Sequence, residues 1–151
     1  MTFDGSCGKT GVGVGVWLYN SKTNQAKGYS YKLNFLCTNN ITEYEALLLG
    51  LKLLKRVGAK RIYVQGDSEL IIKQIKGQYS TKHPRLREYQ NVVIYFLKTF
   101  EEYDLAMIPR LQHAHENGLD FSANTCELPH PNKQYTFEVK HHLAILDNMR
   151  Y

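Results

Sequence analysis

The chain has 151 residues, of which 43% are hydrophobic and 22% are charged, a balance that fits one compact domain and argues against a disordered chain. Its formal net charge of +5 favours an acidic partner such as a nucleic acid, because phosphate groups attract Lys and Arg over long distances. No apolar run approaches the roughly 20 residues that cross a bilayer, so we expect no membrane partner. The cysteines, Cys7, Cys37 and Cys126, are too few and too far apart to indicate a disulfide framework or a zinc site, which favours an intracellular setting.

The first third of the chain is predicted to form an antiparallel meander of three strands. Valines alternate with glycines over residues 11–16, a period of two that is typical of a strand. A polar turn cluster at residues 20–24 separates this strand from a second one at about residues 27–35. An earlier strand is expected to end at Asp4, and it would be short because only three residues precede that aspartate.

A change of period then predicts a helix. Apolar residues recur every three or four positions over about residues 41–56, as on the buried face of a helix. Asn40 is a suitable N-cap, and Glu43 would lie in the first turn. Gly58 is expected to end this helix.

The second half of the chain is predicted to combine strands and helices. In chain order we predict a strand at 61–65, a helix from 67–68 to 77, a long helix at 85–100, a strand at 104–108, a short helix at 115–124 and a strand near 135–139. The whole order is typical of an α/β fold in which helices pack on a mixed sheet.

Three acidic residues occupy positions where they can meet. Asp4 lies on the first strand, Glu43 at the start of the first helix and Asp67 just after the fourth strand. The first and fourth strands can be neighbours in a mixed sheet, and a helix crossing them would bring the three carboxylates together. Clustered carboxylates are costly unless a cation neutralises them, and Mg²⁺ prefers such oxygen ligands. Taken singly, the three residues could instead be a turn aspartate, a capping-box glutamate and an N-cap.

Several segments resemble type 1 ribonuclease H. They are DGSC (residues 4–7), TNNITEYEA (38–46), GDSEL (66–70), GQY (77–79) and IPR (108–110). The resemblance is strongest to the archaeal-like form found in polyproteins of plant long-terminal-repeat retrotransposons. It covers about residues 1–125 and leaves residues 126–151 as a C-terminal extension of unclear role.

The resemblance implies a ribonuclease H-like fold with a five-stranded mixed sheet and flanking helices. It implies a metal-dependent endonuclease that hydrolyses the RNA strand of RNA–DNA hybrids with Mg²⁺ or Mn²⁺, in a domain associated with a reverse transcriptase. Asp4, Glu43 and Asp67 would be its catalytic metal ligands.

The same resemblance implies which residues approach the hybrid. Cys7, Asn39 and Asn40 would meet its minor groove, where the 2′-hydroxyl distinguishes RNA from DNA. The chain lacks a basic helical insertion, so its affinity for the hybrid would depend on scattered Lys and Arg side chains at positions 73, 76, 82, 85 and 87.

The final acidic motif of the family is altered here. A gapless alignment from residues 109–110 places Asn117 where the family has a fourth catalytic acid, and this is the alignment we favour. A gapped alignment places Asp120 there instead. Asn117 would offer an oxygen without negative charge and would weaken activity. The alternative function is therefore a noncatalytic nucleic-acid-binding domain derived from a ribonuclease H.

Overall fold

The computed structural model describes residues 1–8, 11–33, 38–108 and 134–140. The strands are β1 (Thr2–Gly8), β2 (Gly11–Asn20), β3 (Gln25–Leu33), β4 (Arg61–Gly66), β5 (Glu102–Met107) and β6 (Gln134–Lys140). The helices are α1 (Asn39–Arg56), α2 (Glu69–Ile75) and α3 (Pro84–Leu97). None of the helices in these ranges is both long and apolar enough to cross a bilayer.

The strands form one mixed sheet in the order β5-β4-β1-β2-β3-β6. As predicted, β1, β2 and β3 form an antiparallel meander, and β1 lies beside β4. The pairs β1–β4, β4–β5 and β3–β6 are parallel. The predicted five-stranded mixed sheet with flanking helices is therefore confirmed, and β6 extends it by a sixth strand at the β3 edge.

The alternating valines of β2 form the centre of the core. Val14 and Val16 are fully buried, and their register partners on β3, Tyr31 and Tyr29, are also buried. Helix α1 covers this face with an apolar stripe of fully buried side chains that includes Leu47, Leu48 and Leu51. Each large apolar side chain buried in this way contributes about 1.5–3 kcal/mol, so the contact between α1 and the sheet is a main source of stability.

Helix α1 begins earlier than predicted. Asn40 is not its N-cap, because Thr38 has extended backbone dihedral angles and its Oγ1 accepts a hydrogen bond from the Ile41 amide at 3.3 Å. Asn39 is then the first helical residue, and Glu43 lies in the second turn rather than the first. A capping-box role for Glu43 is therefore wrong, because the residue three positions after the N-cap is Ile41.

Most other predicted ends are confirmed to within a few residues. Gly58 and Gly77 follow α1 and α2 with φ angles of +80° and +79°, which glycine adopts without a Cβ penalty. Ser68 caps α2 through its Oγ, so Asp67 is not an N-cap. The long predicted helix is α3. The predicted helix at residues 115–124 lies outside the described residues, and the domain boundary at residue 125 stays a prediction.

Candidate metal centre

Asp4 lies in the middle of β1, where its register partner on β2 is Gly15. The prediction that β1 ends at Asp4 is wrong, because β1 continues to Gly8, where it still pairs with Gly11 at the start of β2. Only 8% of Asp4 is exposed. A central strand therefore holds this carboxylate away from bulk solvent.

Glu43 reaches the same region because α1 lies directly on β1. A Cβ placed on Gly5 would lie 2.6 Å from Thr42 Cγ2 and 2.8 Å from the Thr42 carbonyl carbon. Any larger residue at position 5 would push the helix away from the strand. This close approach places Glu43, the next residue of α1, beside Asp4, and Glu43 is itself only 8% exposed.

Asp67 is positioned by the end of β4. Its predecessor Gly66 lies against the ring of Phe3, since an added Cβ would come within 2.6 Å of two ring carbons. The missing side chain therefore lets the end of β4 approach β1 closely. The half-buried Asp67 follows at the turn into α2.

The structure brings the three predicted acids together. One carboxylate oxygen from each of Asp4, Glu43 and Asp67 lies within 4.8 Å of the other two. These carboxylates repel one another in a poorly hydrated site, which makes a nearby cation favourable. An all-oxygen donor set without Cys or His suits a hard divalent ion rather than a thiophilic metal.

The environment of individual oxygens also fits a cation site. Glu43 Oε2 and Asp67 Oδ1 are shielded from solvent and have no hydrogen-bond donor among the described residues, although both side chains make other interactions. Burial of a charged oxygen is costly unless a positive charge or a hydrogen-bond donor offsets the lost hydration. A divalent ion coordinated by these two oxygens would supply that positive charge.

The structure describes only some of the other predicted site residues. Asn39 is exposed and Asn40 is half-buried at the start of α1, in the turn that precedes Glu43. Cys7 lies on β1 opposite Val12, and its side chain is outside the described part of the chain. Asn117 and Asp120 also lie outside the described residues, so the choice between them stays open.

The basic side chains expected to support hybrid binding lie on and between α2 and α3. Lys76, Lys82 and Arg87 are exposed. Lys73 forms an ion pair with Glu69, whose hydrogen bond raises the pKa of Lys73, and Arg85 pairs with Glu88 at 3.1 Å. These two ion pairs neutralise part of the positive charge of this surface.

Sequence reasoning missed two hydrogen bonds between buried polar side chains of the helices. Tyr44 Oη donates a hydrogen bond to Gln74 Oε1 at 2.6 Å, and Tyr89 Oη donates one to Glu45 Oε2 at 2.7 Å. The helical period placed Tyr44 in the core, but no sequence signal reveals a partner 30 residues away.

Comparisons with known proteins agree with this fold. Residues 2–115 match the family model described as reverse transcriptase-like. A bifunctional protein of Mycobacterium tuberculosis is 29% identical over 115 residues, which cover 76% of this chain. The chain spans 31% of the length of that relative.

Two solved structures are similar over most of the chain. RNase H1 from the halophilic archaeon Halobacterium salinarum aligns with a TM-score of 0.71 and 26% identity, covering 83% of this chain and 96% of that one. LC11-RNase H1, solved in complex with an RNA/DNA hybrid, aligns with a TM-score of 0.62 and 28% identity, covering 76% of this chain and 87% of that one. The chain therefore belongs to the reverse transcriptase-like family, and its sequence and fold are those of a type 1 ribonuclease H.

Proposed function

We propose that this chain is a metal-dependent endonuclease that hydrolyses the RNA strand of RNA–DNA hybrids. The observation that carries the proposal is the convergence of Asp4, Glu43 and Asp67 within 4.8 Å in a ribonuclease H fold. The similarity to LC11-RNase H1, which was solved with an RNA/DNA hybrid, supports the choice of substrate.

The three acids would hold Mg²⁺, with Mn²⁺ as a substitute. A divalent ion bound there would supply positive charge that activates water and stabilises the leaving oxygen of the scissile phosphodiester. The protein would contribute rigid placement: β1 holds Asp4, the contact of α1 with Gly5 holds Glu43, and the close approach at Gly66 holds Asp67. Such preorganised charge needs no rearrangement during the reaction.

The start of α1 would contribute to recognition of the hybrid. Asn39, which is exposed, and Asn40 precede Glu43 by about one helical turn, so they lie at the same end of α1 as one of the proposed metal ligands. Amide side chains and a thiol at Cys7 can exchange hydrogen bonds with 2′-hydroxyls. We therefore propose Cys7, Asn39 and Asn40 as substrate-binding residues without base specificity.

A noncatalytic nucleic-acid-binding domain is the second candidate function. It is favoured by Asn117, which we propose at the place of the fourth acid and which carries no charge. If Asp120 takes that place instead, the acid set is complete.

We also propose that the chain is associated with a reverse transcriptase and that residues 126–151 form a C-terminal extension.

Hybrid cleavage tests the function directly. We expect the parent chain to cut the RNA strand of a hybrid in Mg²⁺ or Mn²⁺, and the substitution Asp67→Asn to reduce the rate by at least about a hundredfold, because it removes a negative ligand from the centre. Glu69→Gln is a matched control, because Glu69 lies two residues away, is exposed and pairs with Lys73 instead of joining the cluster.

The outcomes separate the two candidate functions. Binding of the hybrid without cleavage in either metal would favour the noncatalytic domain. Equal rates for Asp67→Asn and the parent would refute the assignment of the metal centre.

A further inference from the structure

We infer that Tyr44 is a positioning residue for the metal centre. Through its hydrogen bond to Gln74 it fixes α1, which carries Glu43, against α2, which begins two residues after Asp67. This inference rests on the proposed function, because it assumes that the acids bind a divalent cation.

The contact between Tyr44 and Gln74 is buried at both ends. Tyr44 is 0% exposed and Gln74 is 2% exposed, and the Oη–Oε1 distance is 2.6 Å. Burial raises the pKa of the Tyr44 phenol, which therefore stays protonated and donates to the amide oxygen. Water cannot replace either partner in this position, so loss of the phenol oxygen would leave a buried acceptor unsatisfied.

The backbone of Gln74 is also held by a neighbouring helix. Its backbone oxygen accepts a hydrogen bond from Gln90 Nε2 of α3 at 2.9 Å. Helix α2 has only seven residues, a length of about 10 Å. A short helix held at its last turn by two neighbours has little freedom at its start, which directly follows Asp67 and the N-cap Ser68.

The position of α2 determines how well the three acids can share an ion. Mg²⁺ requires oxygen ligands at about 2.0–2.1 Å in nearly octahedral geometry, so small displacements of one ligand weaken binding. Glu43 is adjacent to Tyr44 on α1, and Asp67 adjoins the capped start of α2. The Tyr44–Gln74 hydrogen bond therefore controls the separation between the two ligands that come from outside β1.

A second buried tyrosine provides a matched control. The ring of Tyr89 stacks on that of Tyr44 at 5.6 Å, and its phenol donates to Glu45 Oε2 at 2.7 Å. Tyr89 is 0% exposed. The hydrogen bond of its phenol joins α3 to α1, so Tyr89→Phe also removes one buried phenol oxygen but leaves the hydrogen bond between Tyr44 and Gln74 in place.

Mn²⁺ binding to the full chain, measured by electron paramagnetic resonance of free Mn²⁺, tests the inference. We expect Tyr44→Phe to raise the Kd for Mn²⁺ about tenfold, the lower end of the loss that follows removal of a direct partner of a metal ligand, because Tyr44 acts through Gln74 and α2. Tyr89→Phe is expected to leave the Kd within about twofold of the parent value. A merely structural role would lower the melting temperature of both variants without separating their affinities.

Gln74→Met keeps the inference testable if Tyr44→Phe does not fold. It removes the acceptor while keeping a long, helix-compatible side chain, and it should weaken Mn²⁺ binding to the same extent. The double variant Tyr44→Phe/Gln74→Met should bind Mn²⁺ as tightly as either single variant, because each substitution removes the same hydrogen bond.

The results distinguish this inference from the proposed function. A parent chain that binds no Mn²⁺ would refute the metal centre itself. A parent that binds Mn²⁺, with unchanged affinity in Tyr44→Phe or Gln74→Met, would overturn only the positioning role. An equal loss of affinity in Tyr89→Phe would also overturn it.

Discussion

At the scale of single residues, the main feature is concentrated negative charge. Asp4 and Glu43 are both 8% exposed, and their carboxylates lie within 4.8 Å of each other and of Asp67. Mutual repulsion at that distance opposes folding in the absence of a cation. Stability and metal binding should therefore be coupled in this chain.

Urea unfolding with and without Mg²⁺ measures this coupling. We expect Mg²⁺ at roughly 10 to 100 times its Kd to raise the free energy of unfolding of the parent by about 1–3 kcal/mol, because the ion binds only the folded state. Asp4→Asn removes one charge at nearly constant volume, so the gain from Mg²⁺ should be much smaller. An added monovalent salt at equal ionic strength is the control, and an equal gain in both proteins would contradict the coupling.

At the scale of elements, the close contact between α1 and β1 positions the site. No side chain fits between Gly5 and the Thr42 backbone, where an added Cβ would lie 2.8 Å from the carbonyl carbon and oxygen. The geometry of the proposed metal centre therefore depends on a glycine, which has no side chain to act as a ligand.

Gly5→Ala adds only one methyl group, but it should strongly affect both stability and metal binding. We expect a loss of about 1–3 kcal/mol of unfolding free energy, as for overpacked cores, together with weaker Mn²⁺ binding because α1 must move away from Asp4. Gly58→Ala is the comparison: it has open space around it and only an unfavourable φ of +80°, so it should cost about 1 kcal/mol with unchanged metal affinity. Equal metal affinity in Gly5→Ala and the parent would show that the contact does not position Glu43.

The elements also show how far the sequence alone can be interpreted. Period and turn residues predicted the meander, α1, β4 and β5 because these features are local. The start of α1 was missed because Thr38 and Asn40 are both good N-caps, and only the folded backbone decides between them. The contact between Tyr44 and Gln74 could not be predicted, because it depends on how two helices pack and not on any local pattern.

At the scale of the whole molecule, β6 changes which strand forms the edge of the sheet. It pairs in parallel with β3 from Lys27↔Gln134 to Leu33↔Lys140. Its strand character was predictable, but its partner lies about 100 residues earlier in the chain, and no local signal identifies it. Without β6, the hydrogen-bonding groups along β3 would face solvent, and exposed edges of this kind promote association between chains.

Truncation after residue 133 tests the role of β6. We expect the shortened chain to self-associate with increasing concentration and to melt at a lower temperature, because β3 becomes an unprotected edge. Analytical ultracentrifugation over a range of concentrations would detect this change. A truncated protein that stays monomeric with the melting temperature of the parent would show that β6 is dispensable for the sheet.

The short pairing between β1 and β4 has a consequence for the movements of the molecule. These two strands share only one register pair, Thr2↔Gln65, next to the hydrogen bond from the Gln65 amide to the Met1 carbonyl. The sheet is thus divided into two parts, β5–β4 and β1–β2–β3–β6, by a seam with few hydrogen bonds. Asp4 belongs to one part, and Asp67 follows the last residue of β4 in the other. An ion held between these two carboxylates would bridge the seam and oppose separation of the two parts of the sheet.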